Sequence, residues 1–368
     1  MRTIARILIT CLTAFYLGFA VPPPQQSLRE AAEHSGILIG AAVRPAQLSE
    51  PAYAATLARE FNMLEPEDAL KWESLRPDPE SFDFHQADQL VDFAIRHNMK
   101  VRGHTLVWHR QNPAWLTSGN YTPAQLSHLL ETHIKTVVGH YRGKIFAWDV
   151  ANEAFDEGNR TGEPRETLWS NIKLVNSQLA THDSKLEAQS SKLAYLTQAF
   201  RWAHEADPEA LLFYNEAEAD ESNKKSDAVY AMVRDFKRQG VPIDGIGLQM
   251  HIEKPPDSAS ISANIARFTA LGLQVHITEL DVSLPIDSNG NATPADLDKQ
   301  AETYRQIAQA CLDHPGCTAL QIWGFTDKYS WIGSHSKKTR GAALPFDRNY
   351  QPKPAYSALR EVLTKGRP

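Results

Sequence analysis

Short apolar runs and longer amphipathic stretches alternate along almost the whole chain. The apolar runs fall at 37–43, 61–66, 101–107, 145–151, 211–215, 244–249, 273–279 and 319–325. Continuous apolar runs of this length read as strands buried on both faces, the habit of a parallel sheet. Between them lie stretches at roughly 50–60, 86–98, 123–141, 192–206, 222–239, 258–271, 294–313 and 354–364. Their apolar positions recur at a three-to-four spacing, as in Leu90, Phe93, Ala94 and His97. That period predicts helices with one inward face. Eight strand–helix pairs in strict alternation predict an α/β fold, a (β/α)8 TIM barrel forming a single catalytic domain over residues 28–368. A doubly wound open sheet normally carries a Gly-rich phosphate turn after its first strand, and Gly40-Ala41-Ala42-Val43 is not one. One stretch breaks the rhythm. The polar region 170–194 has Leu179, Leu186 and Leu193 at a seven-residue spacing. An extra helical excursion over the rim and a surface loop both fit it.

Composition narrows the function. An apolar fraction of 42% supports a sizeable core, and 22% charged residues is ordinary for a globular protein. The net charge of −6 argues against nucleic acid as a partner. Eight Trp residues, several beside polar motifs, suit stacking on sugar rings, although about half of them also fit a core role. At the N-terminus, Arg2 and Arg6 precede an apolar run from Ile7 to Phe19, and Gly18-Phe19-Ala20 offers small residues for cleavage after Ala20. Residues 1–20 therefore read as a signal peptide and 21–27 as a short linker; an uncleaved anchor is the alternative. Cleavage takes the charge to −8 and predicts a secreted or periplasmic protein free of the membrane. Cys311 and Cys317 flank the turn Asp313-His314-Pro315-Gly316. An oxidising compartment predicts a local disulfide between them, with two buried thiols as the alternative. With His314 they make a poor zinc site.

Polar groups collect at the C-terminal ends of the predicted strands. Glu67, Asp68 and Lys71 follow the second. Taken alone they are a solvated charged loop. His104 lies within the third strand and reads, alone, as a core histidine; Trp108, His109 and Gln111 follow it. The fourth ends in Trp148-Asp149-Val150-Ala151-Asn152-Glu153, the fifth in Tyr214-Asn215-Glu216 and the sixth in Gln249-Met250-His251, an extended run that puts Gln249 and His251 on one side. The seventh, Val275-His276-Ile277-Thr278-Glu279-Leu280-Asp281, delivers Glu279 with Asp281 on the same side. The eighth leads to Trp323 and Trp331. Folding alone gives no reason for this asymmetry, whereas a barrel enzyme builds its site on that rim. Two acids on one rim are the minimum for glycoside hydrolysis.

These motifs resemble glycoside hydrolase family 10, the endo-β-1,4-xylanases. The residues that carry the likeness are Gly-His-Thr-Leu-Val-Trp-His, Trp-Asp-Val-x-Asn-Glu, Ile-Thr-Glu-Leu-Asp, Trp-Gly-x-Thr-Asp-Lys-Tyr-Ser-Trp and Gln-Pro-Lys-Pro-Ala-Tyr, in order from Leu28 to Leu363. The resemblance implies a retaining double-displacement endo-xylanase acting on xylan and xylo-oligosaccharides, monomeric and needing no metal or cofactor. It implies Glu153 as acid/base and Glu279 as nucleophile, with His251 and Asp281 keeping the nucleophile ionised. Asn152 and Gln249 would contact the reacting sugar. Glu67, Lys71, His104, Trp108 and Gln111 would line the glycone side, Trp323 and Trp331 would wall the site, and Tyr214 and Asn215 would face the aglycone side. Retention places the two carboxyls about 5–5.5 Å apart. The chain departs from the family habit at Asp68, where Asn is usual, at Met250, where Gly or Ser is common, at Asn215-Glu216, where Asn-Asp is common, and in the length of 170–194.

Overall fold

A computed structural model describes residues 26–158, 160–172 and 191–368. The signal-peptide segment and most of the stretch 170–194 lie outside the described residues. Eight parallel strands close on themselves. They are β1 (Leu38–Val43), β2 (Met63–Pro66), β3 (Lys100–Val107), β4 (Ala147–Asn152), β5 (Leu211–Glu216), β6 (Gly245–Leu248), β7 (Gln274–Val282) and β8 (Cys317–Ile322). Each pairs with the next, and β8 returns to β1 through Leu38 opposite Ala319. The expected (β/α)8 barrel is the observed one.

The longer helices among the described residues lie outside the barrel. They are α1 (Leu28–Ser35), α2 (Pro51–Glu60), α3 (His85–Arg96), α4 (Pro123–His140), α5 (Ala194–Ala206), α6 (Lys224–Arg238), α7 (Ser258–Ala270), α8 (Pro294–Leu312) and α9 (Pro354–Lys365). Each sends its apolar stripe inward, as Leu90, Val91, Phe93 and Ala94 do from α3. The sequence pattern did not reveal α1. Its evidence is a capping box, in which the Ser27 side chain accepts from Glu30 N, and a C-terminal stop at Gly36 with φ 69°. Glu60 then ties α1 to α2 and α9, accepting from Leu28 N at 2.9 Å and from the Tyr356 hydroxyl at 3.0 Å.

The barrel lumen holds a charged layer. Arg102 is fully buried, donates to both oxygens of Asp149, and reaches Glu65 at 2.8 Å. It also lies over the Phe213 ring at 5.4 Å, and Phe213 stacks on His276 at 4.1 Å. The two ring contacts join strands that are not neighbours, so they cross the lumen. Cys311, at the end of α8, is disulfide-bonded to Cys317 at the start of β8.

Two strand expectations change. Glu279 does not end β7, which runs three residues further. The short strand His251–Ile252 pairs with it there, and Gln249 and Met250 accept from Glu279 N and Asp281 N at 2.9 and 3.3 Å. The eighth run stops earlier than 325, ahead of Gly324 at φ 86°.

Candidate active site

The C-terminal ends of the strands surround a cleft of about 1120 Å³. Glu153 and Glu279 line it from β4 and β7, together with Glu67, Lys71, His104, Trp108, Gln111, Asn152, Gln249, His251, Asp281, Trp323 and Trp331. Residues far apart in the sequence thus meet because parallel strands all point one way.

Each of the two carboxyls has its own set of partners. Glu153 Oε1 accepts from Gln249 Nε2 at 3.0 Å, and its Oε2 accepts from the Trp108 indole at 2.8 Å. Glu153 sits at φ 54°, a left-handed conformation that costs a non-glycine residue energy and points its side chain off the strand line into the cleft. Glu279 Oε1 accepts from Asn215 Nδ2 at 2.7 Å, and its Oε2 lies 3.1 Å from His251 Nε2. His251 Nδ1 is 2.9 Å from Asp281 Oδ2, which also accepts from the Trp331 indole at 2.8 Å.

A row of amides joins the two acids. Asn152 Oδ1 accepts from Gln249 Nε2 at 3.1 Å and from Asn215 Nδ2 at 3.0 Å. Two amide donors facing one atom mark that atom as the oxygen. Asn215 is oriented in turn by the Thr278 hydroxyl, which donates to its Oδ1 at 2.7 Å.

Electrostatics separate the groups further. Burial pushes the Glu279 carboxyl up. The hydrogen bond from His251 and the positive charges of His104 and His251 outweigh it, leaving the group below its ordinary range. Burial alone would make His251 less basic, but Asp281 and Glu279 hold it well above the usual histidine value. His104 rises for the same kind of reason: the hydrogen bond to Asp149 and the charges of Glu65 and Glu279 override its burial. His109 goes the other way, down to about 4, through burial and the nearby Arg165 and Arg110.

Two sequence expectations are corrected. Tyr214 and Asn215 do not face the cleft; both are fully buried. Successive strand residues point to opposite faces. Asn215 therefore shares the lumen face with Phe213 and spends its amide on Glu279, Asn152 and Thr278. Tyr214 points outward, where its hydroxyl bonds Glu216 and accepts from Ala154 N. The run 249–251 is not extended either, because Met250 turns at φ 66°. Gln249 then reaches Glu153 while His251 reaches Glu279.

Sequence reasoning missed Arg44, Thr278 and Arg165. Arg44 contacts Glu67 at 2.8 Å and Asp68 at 2.9 Å. Asp68 also accepts from Lys71 and Gln111, both at 3.2 Å. Asp68 thus gathers Arg44 and Lys71 onto itself. Among the described residues two groups have metal-like donor sets. In one, Glu65, His104 and Asp149 enclose Arg102, whose guanidinium is the cation they serve. In the other, His109, Glu153 and Glu157 are flanked by Arg110 and Arg165.

Residues 27–362 match the profile of Glycosyl hydrolase family 10. The chain belongs to that family. Endo-1,4-beta-xylanase B of Thermotoga neapolitana is 41% identical over 361 residues, covering 97% of this chain and 95% of its own. A beta-1,4-xylanase of Dictyoglomus thermophilum is 38% identical, covering 95% and 96%. Xylanase 10B of Thermotoga petrophila RKU-1, solved in complex with xylobiose, superposes with a TM-score of 0.84 at 43% identity, covering 92% of this chain and 97% of that one. As a family 10 member the chain is a glycoside hydrolase. Among its described residues no helix is long and apolar enough to cross a membrane.

Proposed function

We propose that the chain is a secreted endo-1,4-β-xylanase that cleaves internal β-1,4-xylosidic bonds with retention of configuration. The observation that carries this reading is the convergence of Glu153 and Glu279 on one cleft, each with separate hydrogen-bond partners. The relatives' names and the xylobiose complex of the Thermotoga petrophila enzyme support xylan as substrate. Export is supported by the basic and apolar character of residues 1–20.

In this reading Glu279, ionised and oriented by His251 and Asn215, attacks the anomeric carbon. The carbon–oxygen bond to the departing chain breaks as Glu153 gives that oxygen its proton. A water then attacks the glycosyl-enzyme ester. Glu153 takes the water's proton, and Glu279 leaves as a carboxylate. Asn152 and Gln249 lie between the two acids and contact the reacting sugar. Glu67, Lys71, His104, Trp108 and Gln111 serve the glycone side, with Trp323 and Trp331 as aromatic walls. Asp281 holds the His251 imidazole so that its other nitrogen faces Glu279.

Reducing-sugar release from xylan tests the reading. The wild-type protein releases sugar and Glu279→Ala does not; equal release by the variant removes Glu279 from its role. N-terminal sequencing of exported protein should begin at Val21, and an intact Met1 would refute cleavage.

A further inference from the structure

The peptide units just after Glu153 are held by groups that do not line the cleft. Glu153 N donates to Asn215 O at 3.0 Å. Ala154 N donates to the Tyr214 hydroxyl at 2.9 Å, and Phe155 N to Glu216 Oε2 at 3.3 Å. Arg165 closes the opposite side, donating to Glu153 O at 3.1 Å and Phe155 O at 3.0 Å. The Tyr214 hydroxyl donates to Glu216 Oε2, and Glu216 Oε1 lies 3.0 Å from Lys225 Nζ, in the first turn of α6. Tyr214, Glu216 and Lys225 are all fully buried.

Burying a carboxylate and an ammonium is unfavourable for stability by itself; apolar residues of similar size would serve folding as well or better. What this arrangement supplies is direction. Glu153 occupies a left-handed conformation that is uncommon for a non-glycine residue. The next two N–H groups are fixed by a phenol and a carboxylate that are themselves fixed by an ammonium. A misplacement of about 1 Å in a proton-transfer group is enough to cost about a hundredfold in rate.

We propose that Tyr214, Glu216 and Lys225 are positioning residues for the proton-transfer step, setting where the Glu153 carboxyl meets the glycosidic oxygen. The proposal rests on Glu153 being the acid/base. It extends the role of the β5 end beyond Asn215: the inward residue holds the nucleophile, and the outward pair holds the acid. One strand end thereby sets the spacing of both carboxyls.

The test compares leaving groups. Proton donation matters for a poor leaving group such as a sugar or phenol and matters little for dinitrophenol. Aryl xylobiosides spanning that range are hydrolysed by the wild type, Tyr214→Phe, the double variant Glu216→Gln/Lys225→Met, and Glu153→Ala. The double variant removes both buried charges together, so neither is stranded. With Tyr214→Phe, the loss of kcat/KM on the phenyl substrate should exceed the loss on the dinitrophenyl substrate by about tenfold, the worth of one misdirected hydrogen bond. The double variant should show the same bias. Equal losses on both substrates, or no loss, in the two variants would overturn the proposal. If Glu153→Ala itself shows no leaving-group bias, the acid/base reading fails first, and the two failures are thus distinct.

Discussion

At the scale of single residues, the environment of Glu279 makes a signed prediction. Its carboxyl is held below the ordinary range chiefly by His251 and His104 against the pull of burial. The ionised carboxylate is therefore present above that lowered value and is lost as pH falls through it. Replacing His251 by Asn removes the hydrogen bond and one positive charge, so the acidic limb of the kcat/KM profile should move to higher pH. An unmoved limb would assign that limb to another group. Residue identities were legible here to an uneven degree. Glu153, Glu279, His251 and Asp281 stood out because acids and a histidine ending apolar strands have no folding rationale. Tyr214 was misread because its neighbour Asn215 is the lumen residue. The period of two separates them, but an apolar run does not announce which face is the lumen. Arg44 and Arg165 were invisible because each acts from a polar loop, where sequence gives no direction.

Elements were more legible than residues. Eight strand–helix alternations point to a parallel α/β fold, and the lack of a Gly-rich turn after the first strand turns the choice to a barrel. The exceptions have local causes. The α1 helix is announced by capping residues more than by a long amphipathic period. The extension of β7 exists only because the chain after β6 turns at Met250 and offers backbone partners. The predicted Cys311–Cys317 bridge links α8 to the start of β8, at the opposite end of the strand from the cleft. The closed loop is short, with a sequence separation of 6, so its contribution is modest. Replacing both cysteines by Ala should lower unfolding free energy by about 2 kcal/mol. Activity per folded molecule should stay at the wild-type level. Denaturant titration and a xylan assay on the same preparation check both halves.

Taken as a whole, the molecule separates stability from chemistry along the barrel axis. Deep in the lumen, Arg102 donates to both oxygens of Asp149 and to one of Glu65, buried groups that hold β2, β3 and β4 together. Removing the guanidinium leaves two buried carboxylates with only His104 opposite them, so Arg102→Met should cost about 3–5 kcal/mol in guanidinium unfolding. A loss under about 1 kcal/mol would mean that the acids are neutral there or have found water. Above that layer, the strand ends bring two acids from different parts of the chain to one cleft, and the account stands on the different work given to each. The most direct measurement is covalent trapping. A 2-fluoro xylobioside with an activated leaving group should form a stable ester, and mass spectrometry of the digested protein should find the label on Glu279. A label on Glu153 or any other residue, or turnover of that substrate with inverted anomeric configuration, would contradict the account.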